Sequence, residues 1–162
     1  MTDKIIPGAD YARAFRNASG TFATGVTVVT TTGSIGHVGI TVNSFSSISM
    51  EPALVMFSVA KASKRHDSFA NEGPFVIHVM AQTQDAIATG FAKDALAFEN
   101  VSYAENAEGI RVIADCLAAF ECETYAVYDG GDHAIVIGRV LRFSQNDGDG
   151  LLFSQGKYGR FI

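Results

Sequence analysis

Six of the nine residues in TVNSFSSIS, positions 41–49, carry a hydroxyl or amide side chain: Thr41, Asn43, Ser44, Ser46, Ser47 and Ser49. They stand between two apolar runs, GVTVVTTTGSIGHVGI before them and ALVMFSVA after. Neutral groups of this kind donate and accept hydrogen bonds without charge. They suit a ligand with several polar edges that needs no protein cation beside them. The competing reading is a surface loop whose Ser and Asn side chains make local turns.

A second cluster follows in KASKR, where Lys61, Lys64 and Arg65 surround Ser63 in an otherwise acidic chain. Ser63 reads as the N-cap of a helix over KRHDSFANE, which Gly73 and Pro74 would end. That puts two cations in the first turn, where the helix dipole disfavours them. A bound anion would offset the conflict and use the free N–H groups. The alternative is a solvated basic face. Together the two clusters suit a flavin nucleotide: neutral partners for the pyrimidine edge and ribityl chain, and a basic site for the phosphate.

Other chemistry-bearing residues are more isolated. His133 lies in GGDH at the start of a strand, and a lone histidine there is structural or catalytic. His37, His66 and His78 are far apart and form no metal motif. Cys116 and Cys122 are six positions apart, roughly 20 Å on an extended strand, too far for a disulfide, and read as core thiols. GSIGHVG has the spacing G-x-x-G-x-x-G and is followed by β-branched ITVNSF, so these are hairpin glycines and not a dinucleotide fingerprint. Neither a Walker sequence nor G-x-S-x-G is present.

The elements that must position these residues are mostly strands. A short helix is predicted over Asp10 to Ala18, with Tyr11, Ala14, Phe15 and Ala18 on one face. TGVTVVTTTG and GHVGITVNSF read as a hairpin, ALVMFSVA as a central strand, and PFVIHVMA as another with His78 on its second face. QDAIATGFAKDALAF reads as a helix, Ser102 to Asp115 as a loop. CLAAFECETYAVY and HAIVIGRVLRFS read as a hairpin turning at Asp129-Gly130-Gly131-Asp132. Tight turns between consecutive strands favour an antiparallel barrel, mainly β with a few short helices.

The bulk properties agree. The chain has 162 residues, 48% hydrophobic and 18% charged, with twelve phenylalanines and no tryptophan. One domain over residues 1–162 is expected, burying about 70% of its unfolded surface. A net charge of −5 without any basic stripe argues against nucleic acid and against anionic membranes. Apolar runs reach about five residues, short of a signal peptide or a membrane helix, so a cytoplasmic location is expected.

In order along the chain, FRNASGTFATGVTVVTT, GITVNSFSSISMEPALVMFSV, the SKR region, FVIHVMAQTQDAIATGFA, LAAFECE, GDHAIVIGRV and LLFSQGKYGRF resemble the flavin reductase-like family. These are the short NAD(P)H:flavin oxidoreductases that supply reduced flavin to two-component monooxygenases. The resemblance covers about Phe15 to Phe161. It implies an FMN-binding split β-barrel of antiparallel Greek-key type, a homodimer, and FMN or FAD near the dimer interface with NADH or NADPH as co-substrate. It assigns the isoalloxazine and ribityl contacts to Thr41, Asn43, Ser44, Ser46, Ser47 and Ser49, and the phosphate to Ser63, Lys61 and Lys64. His133 falls beside the nicotinamide side of the flavin, and Tyr158 at an aromatic position near the C-terminus. An oxygenase component is the implied partner. The chain departs from many relatives in having Glu51-Pro52-Ala53 where two prolines are usual, and Ala97 where an arginine precedes the phenylalanine. A flavoprotein that keeps its flavin for another substrate and a non-catalytic flavin-binding protein are the alternatives.

Overall fold

A computed structural model describes residues 3–161. Helix α1 (Ala12–Gly20) leads into the two-residue strand β1 (Thr24–Gly25). The β-branched run makes β2 (Thr27–Gly33), which returns as β3 (Gly36–Val42) with Gly33 opposite Gly36. Gly36 sits at φ +94°, a turn conformation that a side chain would strain. A second hairpin joins β4 (Ser46–Met50) to β5 (Ala53–Ala60). Then come α2 (His66–Ala70), β6 (Pro74–Val79), a 3-10 turn at Gln82–Gln84 and α3 (Asp85–Lys93). A small ladder pairs β7 (Tyr103–Glu105) with β8 (Arg111–Ile113). The long hairpin of β9 (Ala118–Gly130) and β10 (His133–Gln145) is followed by a short one, β11 (Leu152–Ser154) and β12 (Lys157–Gly159).

Seven strands form one antiparallel sheet in the order β3-β2-β6-β9-β10-β5-β4, while β1, β11 and β12 form a separate three-stranded sheet. Hairpins β2–β3, β9–β10 and β4–β5 are therefore interleaved in the Greek-key manner and not laid down in sequence. The large sheet curls until β3 passes close to β5, yet no ladder joins its edges β3 and β4. This is the split-barrel architecture that the resemblance implies.

Alternation along β5 shows how the barrel fills: Val55, Phe57 and Val59 are buried, and the residues between them are half-exposed. Phe57 packs edge-on against Phe69 of α2 and Phe75 of β6, with ring centroids 5.9 and 5.4 Å away. Removing such a side chain from water stabilises the fold by about 1.5–3 kcal/mol. Strand β2 is covered on both faces: Val29 faces this core, and Val28 a second one with Met80, Phe91 and Ile113. Its buried threonines are satisfied by carbonyls, Thr30 by Arg111 O and Thr31 by Pro74 O, each at 2.7 Å. Gly39 of β3 lets α3 approach, since a Cβ there would lie 2.5 Å from the Phe91 ring.

His78 is wholly buried in β6. Its Nδ1 donates to Val28 O at 2.9 Å and its Nε2 accepts the Ile113 N–H at 3.0 Å. The ring thus ties β2, β6 and β8 together, and burial pushes its pKa down to about 4. Cys116 and Cys122 are free and buried.

Several expected boundaries move. Helix α2 starts at His66, with Arg65 and not Ser63 at its cap; the Ser63 hydroxyl instead accepts the Arg65 N–H at 3.2 Å in a local turn. Lys64 and Arg65 therefore precede the helix, and the dipole argument for an anion does not apply to a helix of this length. Helix α3 stops at Lys93, where Asp94 turns extended and its carboxylate accepts the Leu96 N–H. Residues 102–115 hold the β7–β8 ladder and are not a plain loop. The hydroxyl-rich segment is also ordered, as the end of β3, a turn and the edge strand β4.

Candidate functional site

The turn from β3 to β4, residues 43–45, passes beside the segment 22–27 that leads from α1 into β2. Between them lies a cleft of about 650 Å³ whose walls include Phe22, Thr24, Asn43, Ser44, Phe45 and Ser46. An adjoining recess of about 200 Å³ shares Val26 and Asn43 and extends to Thr41, Phe153 and Tyr158. The C-terminal hairpin reaches it because β11 pairs with β1, Thr24 opposite Phe153. Phe153 and Tyr158 pack edge-on at 5.7 Å. Thr41, Asn43, Ser44, Ser46 and Tyr158 are therefore gathered around one continuous space.

These side chains are not equally free. Thr41 Oγ1 donates to Ala88 O at 2.5 Å and fastens β3 to α3. Ser44 Oγ accepts the Ser58 N–H at 2.9 Å and fastens the turn to β5. Ser46 is exposed and donates to Ser47 O at 3.0 Å, a local bond that water or a ligand can replace. Asn43 is exposed in the turn. Ser47 and Ser49 lie farther along β4, outside both spaces, where the register slips between them opposite Val55 and Leu54. Thr24 supplies a group the sequence reading overlooked. Its Oγ1 is buried and has no hydrogen-bond partner among the described residues, an arrangement that calls for an explanation beside a cleft.

The KASK turn follows β5 directly. Lys61 N–H donates to Asp132 O at 2.9 Å, and its ammonium pairs with the Asp129 carboxylate. Hydrogen bonding to Lys61 holds the Asp129 carboxyl below its ordinary range. Lys64 is exposed and lines a separate pocket of about 320 Å³ between the β2–β3 turn, α2 and Thr124. Arg65 turns inward, where its guanidinium donates to Phe91 O and to Gly39 O, the latter at 3.3 Å. The three cations of KASKR thus have three different surroundings.

His133 opens β10 opposite Ala60 of β5 and Gly130 of β9. Its Nδ1 lies 2.7 Å from the Asp132 carboxylate, and that bond draws the Asp132 carboxyl below its ordinary range. Ser58, which holds Ser44, faces Ile135 two residues along β10, so His133 stands about 7 Å along the same face of the ladder. Lys61 and His133 share one end of the sheet, and the hydroxyl-bearing turn lies next to it. Among the described residues no cluster of three or more His, Cys, Asp or Glu could hold a metal ion.

The residues that sequence reasoning missed are Phe22, Thr24, Phe45 and Phe153. For Phe22, Thr24 and Phe153 the only signal was position, FATG directly preceding the first long strand and LLF lying near the C-terminus; Phe45 stands inside the polar run itself. Phe153 meets Thr24 through the β1–β11 pairing, which joins residues far apart in the chain.

Residues 19–161 match the flavin reductase like domain family. The FMN reductase (NADH) SmoA of Agrobacterium fabrum is 48% identical over 157 residues, covering 97% of this chain and 90% of that protein. The reductase component of the flavin-dependent trigonelline monooxygenase of Acinetobacter baylyi is 40% identical over 148 residues; these are 90% of this chain and 48% of that protein, so the chain spans about half its length. Among solved structures, the NADH:FAD oxidoreductase SgcE6 of Streptomyces globisporus in complex with NAD and FAD fragments superposes with a TM-score of 0.90 at 34% identity, covering 99% of this chain and 98% of that one. With the split-barrel sheet and nearly the whole length matched, the chain belongs to the flavin reductase-like family.

Proposed function

We propose that the chain is an NADH-dependent flavin reductase that binds FMN or FAD in the cleft between residues 22–27 and 43–46 and passes reduced flavin to a separate oxygenase component. The cleft carries this reading. Its volume of about 650 Å³ lies within the ~300–1,000 Å³ of small-molecule sites. Its walls pair aromatic surface at Phe22 and Phe45 with neutral polar groups. The partnerless Thr24 Oγ1 fits a ligand with heteroatoms along its edge. SmoA is named for FMN and NADH, and SgcE6 for FAD and NADH, which supports the choice of reductant.

A bound flavin would supply the two-electron acceptor for a hydride from the nicotinamide. The chain's own task is to hold two flat rings together and keep water out. Asn43 and Ser46 offer exchangeable hydrogen bonds, while Thr41 and Ser44 keep the strand that carries them in place; Ser47 and Ser49 extend the polar edge along β4. Lys64, exposed next to Ser63, gives a phosphate its counter-charge at the edge of this site, while Lys61 is already paired with Asp129. Asp132 fixes the His133 ring through Nδ1 and leaves Nε2 for the nicotinamide amide, with Tyr158 closing the far end of the recess. This assignment explains why no strong acid–base pair is needed.

A homodimer belongs to the same proposal. Helix α1 buries none of its residues, and Phe15, Phe22 and Phe143 are 61%, 77% and 70% exposed. Large apolar side chains left open in this way support a contact with a second copy. A second copy over Phe22 would close the open side of the cleft.

The test is to identify any co-purifying flavin and follow NADH and NADPH oxidation with added FMN, FAD and riboflavin. Saturable turnover of added flavin is expected. Flavin that stays bound and does not exchange would favour a different substrate. Flavin absorbance without any oxidation of reduced nicotinamide would remove the enzymatic reading.

A further inference from the structure

We infer that Arg65 is a positioning residue: it sets the loop that holds the flavin phosphate against the strand that leads to the flavin ring. The inference rests on the proposed reading of the cleft as a flavin site and of Ser63 and Lys64 as the place of its phosphate. Arg65 is the last residue of the KASKR turn, and its backbone N–H is held by the Ser63 hydroxyl at 3.2 Å. The side chain leaves this turn and crosses to two carbonyls on other elements. One is Phe91 O in the last turn of α3; the other is Gly39 O in β3, at 3.3 Å.

Both carbonyls lie at a junction that is already tight. Phe91 O is among the terminal helix carbonyls that lack a partner within the helix, and a cation there is favoured by the dipole. Gly39 N–H donates to Ala95 O at 2.8 Å just after that helix end, and the Phe91 ring packs where a Cβ of Gly39 would be. Two residues along β3, Thr41 Oγ1 is bonded to Ala88 O, also in α3. Helix α3, strand β3 and the 61–65 turn are therefore indexed to one another, with one guanidinium spanning all three. Burial pushes that guanidinium below its ordinary pKa, and Asp94 opposes the shift.

The consequence concerns a ligand with two ends. Asn43 and Ser44 follow directly from β3, while Ser63 and Lys64 belong to the turn that Arg65 anchors. With its ring in the cleft and its phosphate at that turn, FMN would meet both sets at once. Riboflavin has no phosphate and needs only the first. A group that fixes their separation matters to FMN and not to riboflavin, whereas a residue that merely stabilises the barrel affects both alike. Both bonds leave the one nitrogen Nη1, and a lysine ammonium ends one bond short of it along the side chain, so Arg65→Lys retains only part of the effect.

The experiment titrates FMN and riboflavin into the full chain by flavin fluorescence, for wild type, Arg65→Met and Arg65→Lys, with a thermal melt of each. Arg65→Met is expected to weaken FMN binding about tenfold, equivalent to about 1.4 kcal/mol, and riboflavin less than about twofold. Arg65→Lys should weaken FMN about threefold with the same selectivity, and it decides the matter if Arg65→Met does not fold. Equal weakening of both ligands, or no weakening of either, overturns the role of Arg65. If the wild-type chain binds neither flavin, the flavin-site reading falls and takes this inference with it.

Discussion

The hydroxyl of Ser44 accepts the backbone N–H of Ser58 at 2.9 Å, and through this contact the β3–β4 turn is tied to the middle of β5. Ser44→Ala removes the acceptor and leaves that N–H without its partner, at a cost of about 1–3 kcal/mol. Asn43→Ala, one position earlier and exposed, is expected to leave stability within about 0.5 kcal/mol and to weaken flavin binding. Urea unfolding and flavin titration of the two variants separate these effects. Equal stability loss in both would contradict the division of roles.

Acid should loosen the barrel through His78. The ring is buried neutral with a pKa of about 4, against about 6.5 in an unfolded chain. The folded value is the lower one, so the unfolded chain binds the extra proton first. The stability that the neutral ring confers is complete above pH 6.5 and declines as the pH falls towards 4, by roughly 3 kcal/mol in all. Below that it changes no further on this account. Urea midpoints at pH 7, 5.5 and 4.5 should show the decline. His78→Gln should start lower at pH 7 and lose this part of the slope.

Gly39→Ala should be disproportionately harmful for the addition of a single methyl group at a buried position. The added carbon would meet the Phe91 ring at 2.5 Å, forcing α3 away from β3 at a cost of about 1–3 kcal/mol. A thermal melt reads it directly. An unchanged melting temperature would mean that α3 is free to shift.

For His133→Ala the expected result is a KM for NADH raised several-fold, with the KM for flavin little changed. The structure gives this histidine one carboxylate partner, Asp132 at 2.7 Å. Asp132→Asn should therefore reproduce part of the effect. Steady-state kinetics with each substrate varied in turn would check it, and an unaltered NADH KM in both variants would show that the ring does not meet the nicotinamide.

Strands announced themselves in the sequence where β-branched residues run together, as in TGVTVVTTTG and HAIVIGRV. The hairpin at Gly131, with φ +79°, was legible from Asp-Gly-Gly-Asp alone. The short strands β1, β7, β8, β11 and β12 were not, because two or three residues are too few for alternation to register. Ser63 is a residue type that caps helices, but the chain makes one further turn before α2 begins, in which the Ser63 hydroxyl accepts the Arg65 N–H while the Arg65 side chain reaches inward. The same reach divides KASKR, whose three cations look equivalent as letters. Thr41, Asn43, Ser44 and Ser46 were visible as a polar run, while Thr24 came into view only through the pairing of β1 with β11. Which hydroxyls are already committed depends on partners 14 and 47 positions away, distances that local composition does not encode.

The unclosed edge of the sheet has a bearing on engineering. Strand β4 pairs only with β5, whereas β9 is bonded on both flanks. With Ser44 kept for its bond to Ser58, changes at positions 43 and 45–47 therefore disturb one ladder at most. A combinatorial library over that stretch should retain a higher share of folded members than one of equal size over β9. The seam of the barrel is thus where new ligand preferences can be sampled with the least damage to the scaffold.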